Sequence, residues 1–366
     1  MKIKRFAILL TMMTAITTAI AFAPVANACT GITLHAKDGS IVRGRTGEFG
    51  TPLNIRLIVI PKGIAMDGGA INGAKPKSWT TKYSMVGVNA HGKSAALDGL
   101  NDAGLSVAAF YFPDYAEYPE VSAADDGNVV SPLYFVNYLL THCATVDEVR
   151  KAAGHIKVAG AKLKDWGGIV PPFHWIATDS SGGSIVIEPV GGKLVIHENP
   201  LGVITNSPTF DWHMTNLRNF IYLNPLNVPP VKLDKIEFKQ LGQGTGLGGM
   251  PGDFTPPSRF VRAAVFSQSL FPVATATEAM LQAFHILNQF DIPQGASVGM
   301  VDDKREADIT QATVVADLKN LKYYVTNYYS RRIKMVDLNR LAPHGDKIIQ
   351  IDLPRKETID DLTPTK

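Results

Sequence analysis

The order of apolar runs constrains this 366-residue chain most: strand-like segments gather towards both ends, and helical ones fall in two central blocks. Short β-type runs at 30–35 and 41–45 flank Lys37-Asp38-Gly39-Ser40, and Asp-Gly between such runs signals a hairpin. Runs at 55–60, 85–88, 94–100 and 105–112, with the turn Asn101-Asp102-Ala103-Gly104, form a meander. The nearly continuous apolar character of its last strand predicts burial on both faces. Residues 64–82 are rich in Gly, Ala and Lys and read as a surface loop. Helical pattern follows. Ser131-Pro132 is an N-cap and first-position pair for a helix over 133–142, and Thr145-x-x-Glu148 is a capping box opening 146–153. Strands resume at 174–178, 184–188, 193–197 and 203–205, and helices at 211–222, 258–269 and 278–289. The C-terminal third returns to strands at 311–316, 322–328, 333–336 and 347–351. This segregation predicts an α+β layered domain rather than alternating βαβ units.

The first 28 residues stand apart. Lys2, Lys4 and Arg5 precede an uncharged apolar run from Phe6 to Phe22, and Ala26-Asn27-Ala28 meets the small-residue rule of a signal-peptide cleavage site. The apolar run is marginal for the ~20 residues a membrane span requires. Removal of residues 1–28 predicts a periplasmic or secreted protein with no membrane attachment after cleavage. Residues 29–366 read as a single domain, since no repeat or low-complexity linker divides them. A net charge of +3 argues against a polyanionic partner, and no basic run or nucleic-acid motif is present. Two cysteines, Cys29 and Cys143, exclude a disulfide scaffold. Cys143 closes a helical pattern and reads as a small buried apolar residue, with a single Cys29–Cys143 bridge as the alternative.

Cleavage after Ala28 makes Cys29 the first residue of the mature chain, so that one residue carries both a thiol and a free α-amine. An ordinary thiol, with a pKa of about 8.5, is mostly protonated at neutral pH, whereas an α-amine of about 7.7–8 is partly free base. The amine can accept the thiol proton and later return it to a departing amine. A nearby cation favours thiolate, and the hairpin returns Arg45 and Glu48 towards Cys29. Acylation of Cys29 as in bacterial lipoproteins is disfavoured by the preceding Ala-Asn-Ala. Other chemistries lack their motifs: no His-Glu-x-x-His or Cys-x-x-Cys for a metal, no Gly-x-Ser-x-Gly elbow, no dinucleotide fingerprint and no P-loop. The glycines between Gly242 and Gly249 resemble a phosphate loop in composition only. His174, His197 and His213 read as structural residues.

Five separated segments resemble the choloylglycine hydrolases, N-terminal-nucleophile amidases that include penicillin V acylases and bile salt hydrolases. They are Cys29-Thr30-Gly31, Gly44-Arg45-Thr46-Gly47-Glu48, the Asn101–Leu105 turn with Phe110–Pro113, Thr205–His213 with Leu217-Arg218-Asn219, and Pro251-Gly252-Asp253 with Pro257–Arg262. The resemblance implies a four-layer αββα sandwich without cofactor or metal. Cys29 would be nucleophile and base, Arg45 would sit by the sulfur, and Glu48 would hold the α-amine. Asn206 and Tyr111 would form the oxyanion hole, and Arg259 would steady the charges around Cys29. Glu48 stands where many members have Asp. Tyr111 is similar to penicillin V acylases, where bile salt hydrolases carry Asn. The implied substrate is a small N-acyl amide, with penicillin V acylase-like activity foremost and cleavage of N-acyl homoserine lactones or conjugated bile salts as alternatives. A homotetramer is also implied. From a different class, an exported non-catalytic binding protein on the same fold would show no covalent chemistry at Cys29.

Overall fold

The computed structural model describes residues 28–301, 304–341 and 345–364; of the leader assigned to residues 1–28, only Ala28 lies among them. Its main strands are β1 (Cys29–His35), β2 (Ile41–Phe49), β3 (Arg56–Ile60), β4 (Met85–Asn89), β5 (Ala96–Asn101), β6 (Leu105–Tyr111) and β7 (Phe173–Asp179). They continue with β8 (Ser184–Val190), β9 (Lys193–Glu198), β10 (Ile309–Asp317), β11 (Lys322–Asn327), β12 (Ser330–Asp337) and β13 (Ile349–Asp352). The helices are α1 (Phe135–His142), α2 (Val146–His155), α3 (Phe210–Leu217), α4 (Pro256–Gln268) and α5 (Ala276–Leu287). One sheet has the order β1-β2-β10-β11-β12 and the other β9-β8-β7-β6-β5-β4-β3-β13, both antiparallel. Helices α4 and α5 pack on β1, β2 and β10, and helices α1 and α2 on β5, β6 and β7. The order helix, sheet, sheet, helix gives the expected αββα layers.

The sequence explains these layers through side-chain periodicity. In α5, Ala276, Ala279, Met280, Ala283, Phe284 and Leu287 recur at three- and four-residue spacing and are buried against the smaller sheet. Thr275 caps it by accepting the Glu278 N–H at 3.3 Å. In β2, side chains alternate between faces. Gly44 lies beneath α5, where an added Cβ would approach Leu287 to 2.8 Å. Arg43 and Arg45 face the other way, into the space between the sheets.

There Arg43 pairs with Asp98 of β5, whose second oxygen accepts the Tyr323 hydroxyl of β11 at 2.8 Å. All three side chains are fully buried and join the two sheets. Burial, and then the Asp98 charge, push the Tyr323 hydroxyl well above its ordinary pKa, so it remains a donor.

The structure departs from the sequence expectations in four places. Helix α1 begins at Phe135, with Tyr134 and not Ser131 at its N-cap, because Ser131 is used in a turn that pairs with Gly68. Residues 64–82 contain a small hairpin, Ala65–Asp67 with Ser78–Thr80, which buries Trp79 and lets its indole donate to Thr141 at 2.9 Å. The run at 203–205 is no ladder strand but a single bridge, Ile204 to Gly31. Two further hairpins, Val231–Leu233 with Ile236–Phe238 and Val298–Val301 with Lys304–Ala307, carried no clear turn signal.

Replacing Asp98 by Ala strands a buried guanidinium. Equilibrium urea unfolding is expected to show a loss of about 3–5 kcal/mol; a change below 1 kcal/mol would remove this ion pair from the account of how the sheets are joined.

Candidate active site

Cys29 opens β1 and pairs with Gly47 of β2, as Gly31 pairs with Arg45. The alternation of β2 therefore places Arg45 on the face shared by the Cys29 side chain and Glu48 on the opposite face. Arg45 Nη2 lies 3.0 Å from Cys29 Sγ. Its guanidinium is fixed by donating to the carbonyls of Ala109 (2.6 Å) and Thr46 (3.1 Å), and it lies 4.4 Å over the Phe110 ring. On the other face, the Glu48 backbone N–H donates to the Ala28 carbonyl at 3.0 Å, so Glu48 lies at the bond whose cleavage would free the Cys29 amine. Thr310 donates to Glu48 Oε1 at 3.1 Å, while Oε2 is buried with no partner among the described residues.

The segment carrying Asn206 is held beside β1 by the Gly31–Ile204 bridge, with hydrogen bonds of 2.8 and 3.1 Å. Gly31 is required there, since a Cβ would approach both Ile204 and Phe110 to 2.8 Å. Asn206 Oδ1 accepts from the Cys29 N–H at 2.8 Å and from Arg259 Nη2 at 2.7 Å. Its Nδ2 donates one hydrogen to the Tyr111 carbonyl at 2.7 Å, leaving the second for another acceptor. Arg259, in the first turns of α4, also donates to the Cys29 carbonyl and to Thr30 Oγ1. Tyr111 faces Phe173 in a non-hydrogen-bonded pair, because the neighbouring Phe112 N–H donates to Pro172. The Tyr111 N–H is thus directed away from β7, beyond the last paired residues of β5. All six site residues expected from the sequence meet within one constellation.

The charges are tuned by burial. Desolvation raises the Glu48 carboxyl to about 7, outweighing Arg259, Thr46, Thr310 and Arg45, which favour its anion. Desolvation lowers Arg259 to about 10, partly offset by Glu48 and Cys29. For Arg45 the balance runs the other way: burial would lower its pKa, but Cys29, Asp98 and Glu48 raise it above the ordinary value. Both guanidinium groups are cations at neutral pH.

An apolar cleft of ≈ 520 Å³, its open mouth included, begins at Cys29 and Arg45. Phe49, Tyr111, Trp166 and Phe173 line it, and Val88 and Val314 bring it to the core shared by both sheets. The sequence reading missed Trp166 and Phe49 because they lie outside the recognised motifs. It also missed Thr310, which meets Glu48 only through the pairing of β10 with β2. Glu188 was missed too, although an acid closing the apolar run Ile185-Val186-Ile187 was a legible signal. Cys143 is buried, unbridged and pushed up to about 12 by desolvation, as befits a core residue.

Comparison with known proteins agrees with this geometry. The profile of the linear amide C–N hydrolases, choloylglycine hydrolase family, matches residues 29–349. A bile salt hydrolase/transferase of Clostridium perfringens is 34% identical over 325 residues, covering 87% of this chain and 95% of its own. The penicillin V acylase of Pectobacterium atrosepticum is 28% identical over 339 residues, covering 87% of this chain and 83% of its own. Among solved structures, a mutant of the conjugated bile acid hydrolase from Clostridium perfringens superposes with a TM-score of 0.80 at 30% identity, covering 92% of this chain and all of that one. The fold is accordingly the αββα sandwich of the N-terminal-nucleophile hydrolases.

A carboxyl whose pKa rises from 4.5 to about 7 on folding binds more protons folded than unfolded across that interval, so its contribution to stability falls as pH rises through it. In the uncleaved chain, Glu48→Gln is therefore expected to raise the melting temperature at pH 8 and to leave it unchanged near pH 4.5. Equal effects at both values would show that Glu48 is not held in its neutral form by the fold.

Proposed function

The chain belongs to the choloylglycine hydrolase family of linear amide C–N hydrolases, and from that premise we propose that it cleaves small N-acyl amides through an S-acyl intermediate on Cys29, with penicillin V acylase-like preference. The observation that carries this reading is Arg45 Nη2 at 3.0 Å from Cys29 Sγ, at the head of an apolar cleft. Export to the periplasm or beyond, with removal of residues 1–28, would free the Cys29 amine. Two observations support a role for Glu48 in holding the resulting ammonium: its backbone N–H sits on the Ala28 carbonyl, and Oε2 of its buried side chain has no partner among the described residues.

In the first step the amine accepts the Sγ proton and the thiolate, favoured by Arg45, attacks the substrate carbonyl carbon. The negative charge moves to the carbonyl oxygen, where the free Asn206 Nδ2–H and the Tyr111 N–H are suited to receive it; donors of this kind contribute on the order of 3 kcal/mol each. The Cys29 ammonium passes its proton to the leaving nitrogen, the C–N bond breaks, and the acyl group remains on sulfur. Water then gives up a proton to the amine and attacks the thioester, releasing the carboxylic acid and restoring the thiol. Arg259 keeps Asn206 and the Cys29 carbonyl in place throughout.

The cleft wall of Phe49, Trp166, Phe173 and Tyr111 suits an aromatic acyl group such as phenoxyacetyl. Its extension to Val88 and Val314 between the sheets favours, as a second reading, the fatty-acyl chain of an N-acyl homoserine lactone. Conjugated bile salts, the substrates named for the C. perfringens relatives, are the third candidate. A homotetramer remains the proposed assembly. It is supported by the arm formed by residues 221–241, in which Ile221, Leu226, Leu233, Ile236, Phe238 and Leu241 are all more than half exposed, apolar side chains that a subunit contact would cover.

Mature protein carrying Cys29→Ser or Cys29→Ala is expected to keep its fold by circular dichroism and to lose at least ~10³-fold in turnover; undiminished turnover would end the mechanism. Chain that retains residues 1–28 is expected to be inactive as well. In a panel of penicillin V, long-chain acyl homoserine lactones and a glycine-conjugated bile salt, the first two should be cleaved faster, and a bile salt preference would reverse the substrate assignment. For the assembly, light scattering of Ile236→Asp with Phe238→Asp should give a smaller mass than the native protein, and an unchanged mass would free the arm from this role.

A further inference from the structure

We propose that His174 and His213 form a clamp that positions Asn206 for the reaction by holding the two backbone carbonyls on either side of its amide nitrogen and carbon. His174 Nε2 lies 3.1 Å from the Thr205 carbonyl oxygen, and His213 Nε2 lies 2.9 Å from the Asn206 carbonyl oxygen. Carbonyl oxygens only accept, so both Nε2 atoms carry hydrogen. The three residues holding this segment, His174, His213 and Glu188, are at most 2% exposed, and water does not compete for these bonds.

The two rings differ in their partners. Both nitrogens of His174 face acceptors, since its Nδ1 lies 3.1 Å from Glu188 Oε1. The ring is thus held at both nitrogens, between the Thr205 carbonyl and Glu188. Glu188 also accepts the Phe210 N–H at 2.9 Å at the start of α3, and its Oε2 lies 3.3 Å from His197 Nε2. Burial would raise the Glu188 carboxyl, but the two histidines outweigh it and hold it near 2, so the anion persists across the working range. His213 is neutral: desolvation, with His174 and Arg259 adding to it, lowers its pKa to about 4. Its Nδ1 is buried without a partner among the described residues.

Each ring also touches a second part of the site. His174 stacks on Phe112 at 4.3 Å, next to Tyr111, whose carbonyl accepts from Asn206. His213 stacks on Phe260 at 4.8 Å, next to Arg259, which donates to the Asn206 side chain. The clamp thus couples the end of β6, the Asn206 segment and α4. The side chain of Asn206 is already fixed by Cys29, Arg259 and Tyr111, and the two histidines add control of its backbone. This is positioning and not contact with substrate.

The inference rests on Asn206 serving the reaction as proposed above, and Asn206→Ala is measured beside it to keep the two apart. His213→Phe retains the stack on Phe260 and removes the hydrogen bond; His213→Gln restores an amide donor near the Nε2 position. In mature protein with penicillin V as substrate, or whichever panel substrate is cleaved fastest, His213→Phe should lower kcat about ten- to a hundredfold, the scale of a small misplacement. KM should stay within about twofold, and His213→Gln should recover most of the loss. Variants are first separated by gel filtration and checked by circular dichroism, and Cys29 of the folded fraction is then counted by thiol labelling, so that misfolded molecules do not contribute. A kcat per labelled site within twofold of wild type for His213→Phe, with Asn206→Ala inactive, would overturn the clamp and leave the mechanism. Full activity of Asn206→Ala would instead overturn the oxyanion assignment. If the His213 variants fail to fold, ¹⁵N-histidine NMR of the wild-type protein at pH 7 decides: the clamp requires a hydrogen on Nε2 of both His213 and His174, and a ring protonated on Nδ1 alone at either position excludes it.

Discussion

The register in which β1 lies on β2 governs the rest of the site. With Cys29 opposite Gly47 and Gly31 opposite Arg45, the two-residue period of β2 sends Arg45 to the sulfur side and Glu48 to the backbone side of the same cysteine. A shift of one residue would exchange these faces, placing the cation under α5 and the carboxyl between the sheets. Hydrogen bonds alone do not hold that register. Arg43, on the Arg45 face, is committed to Asp98 of the opposing sheet, and Gly44, on the other, is the contact that lets α5 approach. The strand that carries the site is therefore pinned from both sides.

Burying this much charge near one thiol is costly, and the arrangement shows how the cost is distributed. Arg45 and Arg259 are both buried, yet each spends its hydrogen bonds on carbonyls and on atoms of the site itself. Glu48 is the exception, with one oxygen unmatched and its pKa driven upwards by desolvation. Among the described residues that imbalance has no remedy. Under the proposed maturation, a new ammonium at Cys29 would offer that carboxyl a charge of the opposite sign.

Much of the fold and of the site was legible in the chain. Period-2 runs and capping signals located most main strands and helices, since those patterns reflect local burial. The hairpin turn at Asp38-Gly39 foretold that Arg45 would return to Cys29. Legibility failed where burial is created by distant partners. Trp79 gave no sign that its loop would become a small hairpin packed on α1, and Ser131 was a good cap signal that a turn with Gly68 used instead. His174, Glu188 and His213 looked like ordinary strand and helix residues because their partners lie across the fold at Thr205 and Asn206.

By itself the sequence determined the order of most strands and helices and the candidacy of Cys29 as a new N-terminus, and its resemblance to a known family pointed to the five residues around it, because each depends on local periodicity or on motifs read along the chain. Only the tertiary structure decided the distances: that Arg45 reaches the sulfur, that Asn206 stands between Cys29, Tyr111 and Arg259, and that an apolar cleft runs from the thiol towards the core of both sheets. The reason is physical. Alternation along a strand assigns a side chain to a face, but which atoms meet on that face is set by the packing of sheet on sheet and helix on sheet, between residues as far apart in the chain as Cys29, Asn206 and Arg259.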